Sequence, residues 1–343
     1  MTSIAGWDIG GAHLKVARAE GQTIVAAHQL PCALWRGLDE LRRALATALE
    51  SLGPVERHAV TMTGELADLF PDRATGVAAI LDVLTEFLPS ATIAVYTTDG
   101  EFLLAETAKA RPDIVGSANW HATSRYLASR LGNGLLLDIG STTTDVVPFI
   151  DRHVDARGTT DVERLATGEL VYTGVVRTPL AAVAREVPFG GRMVGVMAEF
   201  FATAADAHRL AGTLPEGADL HATADGRGKS PAESRARLAR MIGMDAGAAP
   251  ETAWRRLAEA FIRRQTAAIE RAIERVLSVC DLPGDASVIG AGAGRFLAEE
   301  IARRFHHPYR DFGDIIATSR PGSRSTAADI APAVAVALLL STA

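Results

Sequence analysis

Cysteine is scarce in this chain: Cys32 and Cys280 are its two cysteines in 343 residues, far apart and without a C-x-x-C spacing. That excludes a disulfide framework and a cysteine-built zinc site. His306 and His307 stand before Pro308 with no matching ligand set, so no metal centre is expected there either. A basic surplus is also missing. With 35 Lys and Arg against 41 Asp and Glu, the formal charge of −6 leaves no field for nucleic-acid phosphates, and none is expected as a partner. No apolar run reaches the length of a bilayer, and no basic stretch precedes the first apolar strand, so neither a membrane partner nor a secretory leader is expected. Ala333–Leu340 is apolar but short and reads as a buried helix. The expected location is the reducing cytoplasm. What is present is ample apolar residue, 48% of the chain, enough for the cores of two domains.

Two segments repeat one design: Trp7-Asp8-Ile9-Gly10-Gly11-Ala12-His13-Leu14-Lys15 and Leu137-Asp138-Ile139-Gly140-Ser141-Thr142-Thr143-Thr144-Asp145. Each runs from an apolar strand through an Asp and a glycine turn into a second strand. Glycine lets backbone N–H groups approach phosphate oxygens, so Gly10, Gly11 and Gly140 are candidate phosphate binders, with the hydroxyls of Ser141, Thr142 and Thr143 as neutral donors. Asp8 and Asp138 cannot bind phosphate and are assigned to Mg²⁺, a hard cation that arrives with phosphates. One such turn alone reads as an ordinary hairpin; a pair opening two similar halves does not. Asp145 reads as a hairpin anchor.

The first half reads as strands at Ile4–Asp8, Leu14–Ala19 and Thr23–His28, a helix through Leu38–Leu52, a strand at Ala59–Thr63, a helix at Ala74–Leu88 and a strand at Thr92–Thr97. Gly100–Ala108 is a short strand or loop, and Ser117–Leu131 a helix capped by its serine. The order then restarts with strands at Gly134–Ile139, Thr144–Ile150 and His153–Arg157 and a short helix at Asp161–Ala166. This is an internal duplication. The expected architecture is α/β, two lobes, 1–131 and 132–343, each a mixed sheet flanked by helices, with a central cleft where the glycine turns meet. Residues 168–245 lose the alternation and read as an irregular insertion in the second lobe, either a cover for the cleft or a surface excursion. A long helix Glu251–Val279, a strand Ser287–Gly290, a helix Arg295–Arg304 and a last helix of about Ala327–Leu340 follow.

Between that strand and helix lies Gly290-Ala291-Gly292-Ala293-Gly294, where a nucleotide can meet backbone N–H groups, or where tight packing simply needs small residues. Gly290 and Gly292 are the candidate binders. Arg227 and Lys229, in Arg227-Gly228-Lys229-Ser230, are candidate clamps for a diphosphate or a carboxylate, or else a solvated basic loop. Phe189, Gly190, Gly191 and Arg192 form a second clamp candidate, with the Phe189 ring able to stack on a substrate ring. Asp329 reads as the cap of the last helix or an aid to the metal.

The three glycine segments, their order and the duplication resemble the sugar kinase, heat-shock protein and actin superfamily: Asp8-Ile9-Gly10-Gly11 its first phosphate motif, Asp138-Ile139-Gly140-Ser141-Thr142-Thr143-Thr144-Asp145 its second, Gly290–Gly294 its adenosine motif. The resemblance implies an actin-like ATPase, ribonuclease H-like, fold over nearly the whole chain. Ser117-Ala118-Asn119-Trp120 ahead of the second motif is similar to the hydantoinase and oxoprolinase branch. Gly6–Lys15, Met62-Thr63-Gly64-Glu65-Leu66-Ala67-Asp68 and Thr223–Ser230 further resemble a small family linked to tetrahydromethanopterin one-carbon metabolism, whose archaeal members act as a synthase in methanofuran assembly.

That resemblance implies a transferase with small-molecule substrates, joining (5-aminomethylfuran-3-yl)methyl diphosphate to the phenol of γ-glutamyltyramine and releasing diphosphate. Loops shaped for the phosphates of ATP can hold a diphosphate leaving group, so Mg²⁺ is expected and ATP is possible without being required. Lys15 is then a candidate partner for the diphosphate, or else a solvated strand residue. A phenol with a pKa of about 10 needs a general base, for which Glu65 stands first and His13 second. Glu65 also reads as a helix N-terminal residue, and His13 as a turn or core histidine. Two other classes use the same loops: an ATP-dependent small-molecule kinase or amidohydrolase of the oxoprolinase kind, and a nucleotide-switched binding protein, which needs a substrate-binding appendage.

Overall fold

A computed structural model describes residues 2–320 and 322–342. Strands β1 (Ser3–Ile9), β2 (His13–Glu20) and β3 (Thr23–Pro31) form an antiparallel meander; β4 (Arg57–Met62) runs parallel to β1, β5 (Ile93–Tyr96) parallel to β4, and β6 (Phe102–Leu104) antiparallel to β5. The second sheet repeats the plan. In it β7 (Gly134–Ile139), β8 (Thr144–Ile150) and β9 (His153–Val154) form the meander, with β10 (Leu170–Val171) also on β8. The parallel side comes from β13 (Ser287–Ala291) and β14 (Tyr309–Asp311). Every residue of β1 and of β7 is buried, because helices cover both faces of each sheet. The fold is thus a two-lobed α/β duplication.

The lobes are interwoven. The Asn119–Leu131 helix packs on β7, β8 and β9, whereas the Ala331–Leu340 helix packs on β1, β2 and β4, and the two helices pack on each other. The strand β15 (Ala317–Thr318) joins the edge of the first sheet beside β3. Gly6 makes the close approach of helix to strand possible, since a Cβ there would collide with the Ala333 carbonyl oxygen.

The expected single helix 327–340 is two helices, Ser323–Asp329 and Ala331–Leu340, bent by 96°. Pro332 is the physical reason: in a continuous helix its ring would strike the carbonyl of Ala328. That carbonyl instead accepts from Gly292 N–H at 2.9 Å. No single helix among the described residues is long and apolar enough to cross a membrane, and the apolar member of this bent pair, Ala331–Leu340, lies largely buried in the protein.

The stretch 168–245 is irregular only in part. It holds a hairpin of β11 (Glu186–Phe189) and β12 (Arg192–Gly195), and helices Ala204–Ala211 and Pro231–Arg240 opened by capping boxes at Thr203 and Ser230. Leu180, Val187, Leu238 and Met241 form its core with Trp254, Leu257 and Phe261 of the Glu251–Leu277 helix. Elsewhere boundaries fall close to expectation, with two differences: 100–108 is half strand and half helix, Phe102–Leu104 then Ala105–Lys109, and Ser117 does not cap the Asn119–Leu131 helix. Cys32 and Cys280 are both free thiols.

Candidate active site between the two glycine turns

The two hairpins fold alike. Gly10 N–H closes the first turn on the His13 carbonyl and Gly140 N–H the second on Thr143, each at 2.9 Å. Those two N–H groups are therefore used inside the turns, and the tips are Gly11 and Ala12 in one and Ser141 and Thr142 in the other. Asp8 and Asp138 each stand two residues before their glycine, opposite Lys15 and Asp145 respectively.

Lys15 joins the lobes electrostatically. Its Nζ donates to Asp8 Oδ2 at 3.1 Å, with 22% of its side chain exposed. Burial opposes its charge, yet Asp8, Asp138 and Asp145 together raise its pKa. Burial pushes the Asp138 carboxyl up to about 7, with Lys15 and Arg295 opposing and Asp145 and Asp8 reinforcing. Both aspartates thus share the charge of one lysine. Asp8 is 2% exposed, and its Oδ1 has no hydrogen-bond partner among the described residues. Thr61, its register neighbour on β4, has an equally unpartnered hydroxyl. No ready-made cluster of three or more His, Cys, Asp or Glu exists among the described residues. The donor set fits a cation held by one or two carboxylates and completed by phosphate oxygens, which is how Mg²⁺ is commonly bound.

Two arginines that the sequence did not single out add positive charge near the second turn. Arg164, buried, donates to Asp145 at 2.9 Å and lies 4.0 Å over the Trp120 ring, so Asp145 is an ion-pair partner rather than only a hairpin anchor. Arg295 donates to Asp311 at 2.8 Å and to Asp329. Asp329 therefore ends one helix in a salt bridge and caps nothing, since the next helix has Ile330 at its N-cap.

Glu65 lies in a tight turn, Gly64–Leu66, that follows β4, and it is fully buried. Ser117 Oγ donates to its Oε1 at 3.0 Å, Oε2 has no partner, and burial pushes its pKa up to about 7. Ser117 adopts a left-handed backbone, φ 53°, to reach it. Its hydroxyl is also 3.2 Å from Asp161, which pairs with Arg73 at 2.7 Å and ties the first lobe to the second. His13 is 3% exposed, and burial, with His221, Lys15 and Arg177 nearby, pushes its pKa down to about 3.

Above the first turn, His221 of the 168–245 stretch donates Nε2–H to the Ala12 carbonyl at 2.7 Å. Its ring lies 4.8 Å from His13 and 5.3 Å from Trp35, and Arg177 sits 4.6 Å over Trp35. Sequence reasoning missed Trp35, Arg177 and His221, whose meeting depends on tertiary folding alone.

The remaining candidates are elsewhere or are occupied. Phe189 packs on Trp254 at 4.9 Å, and Gly190 and Gly191 are the left-handed tip of the β11–β12 hairpin, with Arg192 exposed beside them. The Phe189 ring thus packs against the core of the inserted unit. Lys229 pairs with Asp219 at 3.4 Å and lines a surface hollow of about 300 Å³ with Arg209 and Glu216. Arg227 is exposed in the loop that leads to the Ser230 cap. Gly290, Gly292 and Gly294 are packing glycines: a Cβ on them would strike Tyr309, Asp138 and Ile139.

The duplicated sheets and the facing Asp–Gly hairpins define a two-lobed protein of the actin-like ATPase fold. Nucleotide-free acetone carboxylase shares that fold, with a TM-score of 0.55 at 10% identity over 89% of this chain and 67% of the other. The chain belongs to the hydantoinase/oxoprolinase family, whose model matches residues 56–337. It is 34% identical over 243 residues, 71% of this chain and 72% of the relative, to a Methanocaldococcus jannaschii enzyme named (4-{4-[2-(gamma-L-glutamylamino)ethyl]phenoxymethyl}furan-2-yl)methanamine synthase. A Methanococcus vannielii enzyme of the same name is 37% identical over 109 residues, 32% of this chain and 47% of that relative.

Proposed function

We propose that this chain is an aryl ether synthase of methanofuran-type cofactor assembly, joining (5-aminomethylfuran-3-yl)methyl diphosphate to γ-glutamyltyramine. The observation that carries the reading is the likeness to a synthase whose named product contains a phenoxymethyl-furan, in a chain where Lys15 pairs with Asp8 and its charge couples to Asp138. In the reaction the phenol loses its proton, its oxygen bonds to the furanylmethyl carbon, and the bond from that carbon to the diphosphate oxygen breaks. Atoms balance without ATP.

Asp8, through its unpartnered Oδ1, and Asp138 would hold Mg²⁺, which when bound supplies positive charge to a departing diphosphate. Lys15 adds a fixed positive charge beside them, and the turn tips at Gly11, Ala12, Ser141 and Thr142 supply neutral donors. Glu65 is the better base of the two candidates. With a pKa of about 7 it can hold a proton near neutral pH, whereas His13 at about 3 is too weakly basic.

The test is incubation of purified protein with Mg²⁺ and the two substrates, following diphosphate release and the ether product. The reading predicts both in equal amounts without ATP. ADP formation dependent on a small acceptor, with no ether, would assign the chain to the kinase or amidohydrolase alternative.

A further inference from the structure

We propose that Trp35, Arg177 and His221 form the binding site for the aromatic acceptor, taking a phenol that carries an anionic tail. The identity of that acceptor rests on the synthase reading; the site itself rests on geometry. Leu34 N–H bonds to the Gly11 carbonyl at 3.1 Å, which places Trp35 beside the first turn, and Arg177 N–H bonds to the Ser141 carbonyl at 2.8 Å, which places it beside the second. The stack of Arg177 on Trp35 therefore spans the seam between the turns.

Each member has unspent binding capacity. Trp7, Trp120 and Trp254 are at most 2% exposed, whereas Trp35 is 37% exposed at this seam. A half-covered indole is a platform for another ring, and stacking adds selectivity for aromatics. Arg177 makes no salt bridge among the described residues, although burial lowers its pKa. A partly buried guanidinium without a carboxylate is suited to an anion brought by a ligand. His221 spends Nε2–H on a carbonyl, which can only accept, so in the neutral ring Nδ1 is the acceptor and can take the hydrogen bond of a ligand N–H. Ring platform, cation and acceptor thus match the ring, carboxylate and side-chain N–H of one ligand.

The experiment is titration of the whole protein with γ-glutamyltyramine and with tyramine, which has the same phenol and no carboxylate, read by tryptophan fluorescence and calorimetry. The wild type should show quenching with γ-glutamyltyramine. Trp35→Phe should lose the quenching but keep the affinity, whereas Trp35→Ala should weaken binding about three- to tenfold, the worth of a stacked pair. Arg177→Met should weaken γ-glutamyltyramine while leaving tyramine unchanged, and in turnover should raise KM for the phenol without raising KM for the furanylmethyl diphosphate. His221→Phe should weaken both phenols.

Folded Trp35→Ala and Arg177→Met proteins that bind both phenols as the wild type does overturn the site, as does a wild type that binds neither. If the phenol binds and quenches Trp35 but no ether forms, the site stands and the synthase reading fails. If ether forms while these variants leave the phenol KM unchanged, the reading stands and the site fails.

Discussion

Lys15 and Asp145 hold the same register position in the two lobes, each directly across a hairpin from the aspartate that precedes the glycine. The duplication thus places a cation in one copy and a carboxylate in the other. Only the first turn carries its own counter-charge; the second borrows Lys15 and, more weakly, Arg295 for Asp138, and takes Arg164 for Asp145. Lys15→Ala would leave Asp8 and Asp138 with less compensation. It should lower stability by about 1–3 kcal/mol in urea melts at pH 7 and slow ether formation about a hundredfold, as loss of a preorganised charge at a leaving group does.

Burial of Glu65 makes stability depend on pH in a stated direction. Its carboxyl titrates at about 7 in the folded protein and near 4.5 in the unfolded chain, so between those values the folded state binds the extra proton. Stability then falls as pH rises through that window, by up to about 1.4 kcal/mol per pH unit. Glu65→Gln removes this slope. Its urea midpoint should gain on the wild type from pH 4.5 to 7 and keep a constant lead above, while its kcat drops about a hundredfold or more.

Ser117→Ala removes the hydroxyl that holds Glu65 Oε1 at 3.0 Å and favours its charged form. The pKa of Glu65 should rise further, moving the acid limb of kcat/KM to higher pH. Ser117→Gly should give the same pH profile with a higher melting temperature than the alanine variant, because glycine relieves the left-handed φ of 53°.

Gly292→Ala would drive a Cβ into Asp138 Oδ1 and the Ile139 carbonyl at a φ of 79°. Calorimetry should register a loss of about 1–3 kcal/mol from the backbone strain, with the loss of activity following from the displaced Asp138.

Removal of divalent cations by chelation should abolish diphosphate release, and added Mg²⁺ should restore it. Asp8→Asn should need more Mg²⁺ for half-maximal rate, since a neutral amide is a weaker oxygen donor than a carboxylate.

Local features were legible and distant ones were not. The hairpins around Asp8 and Asp138 announce themselves because strand, glycine and strand are contiguous, and the periodic apolar pattern of Glu251–Leu277 marks a helix with its start at the right residue. The bend at Ile330 was hidden because 331–340 is apolar all round and offers no face to follow, although Pro332 held the clue. The regular elements of the inserted unit stayed hidden because its helices, Ala204–Ala211 and Pro231–Arg240, are too short for periodicity to stand out. Ser117 has the residue type of a cap, and only a carboxylate 52 positions earlier, Glu65, explains its different use. Trp35, Arg177 and His221 carry no motif, and their proximity is a product of the closed fold.

The first sheet begins at Ser3 yet receives its edge strand and its covering helix from 317–340. During synthesis the inner face of β1, with the bare backbone at Gly6, stays uncovered until those residues emerge. The nascent amino-terminal lobe therefore carries an apolar sheet face that its own residues cannot cover, and the far end of the chain must arrive to close it.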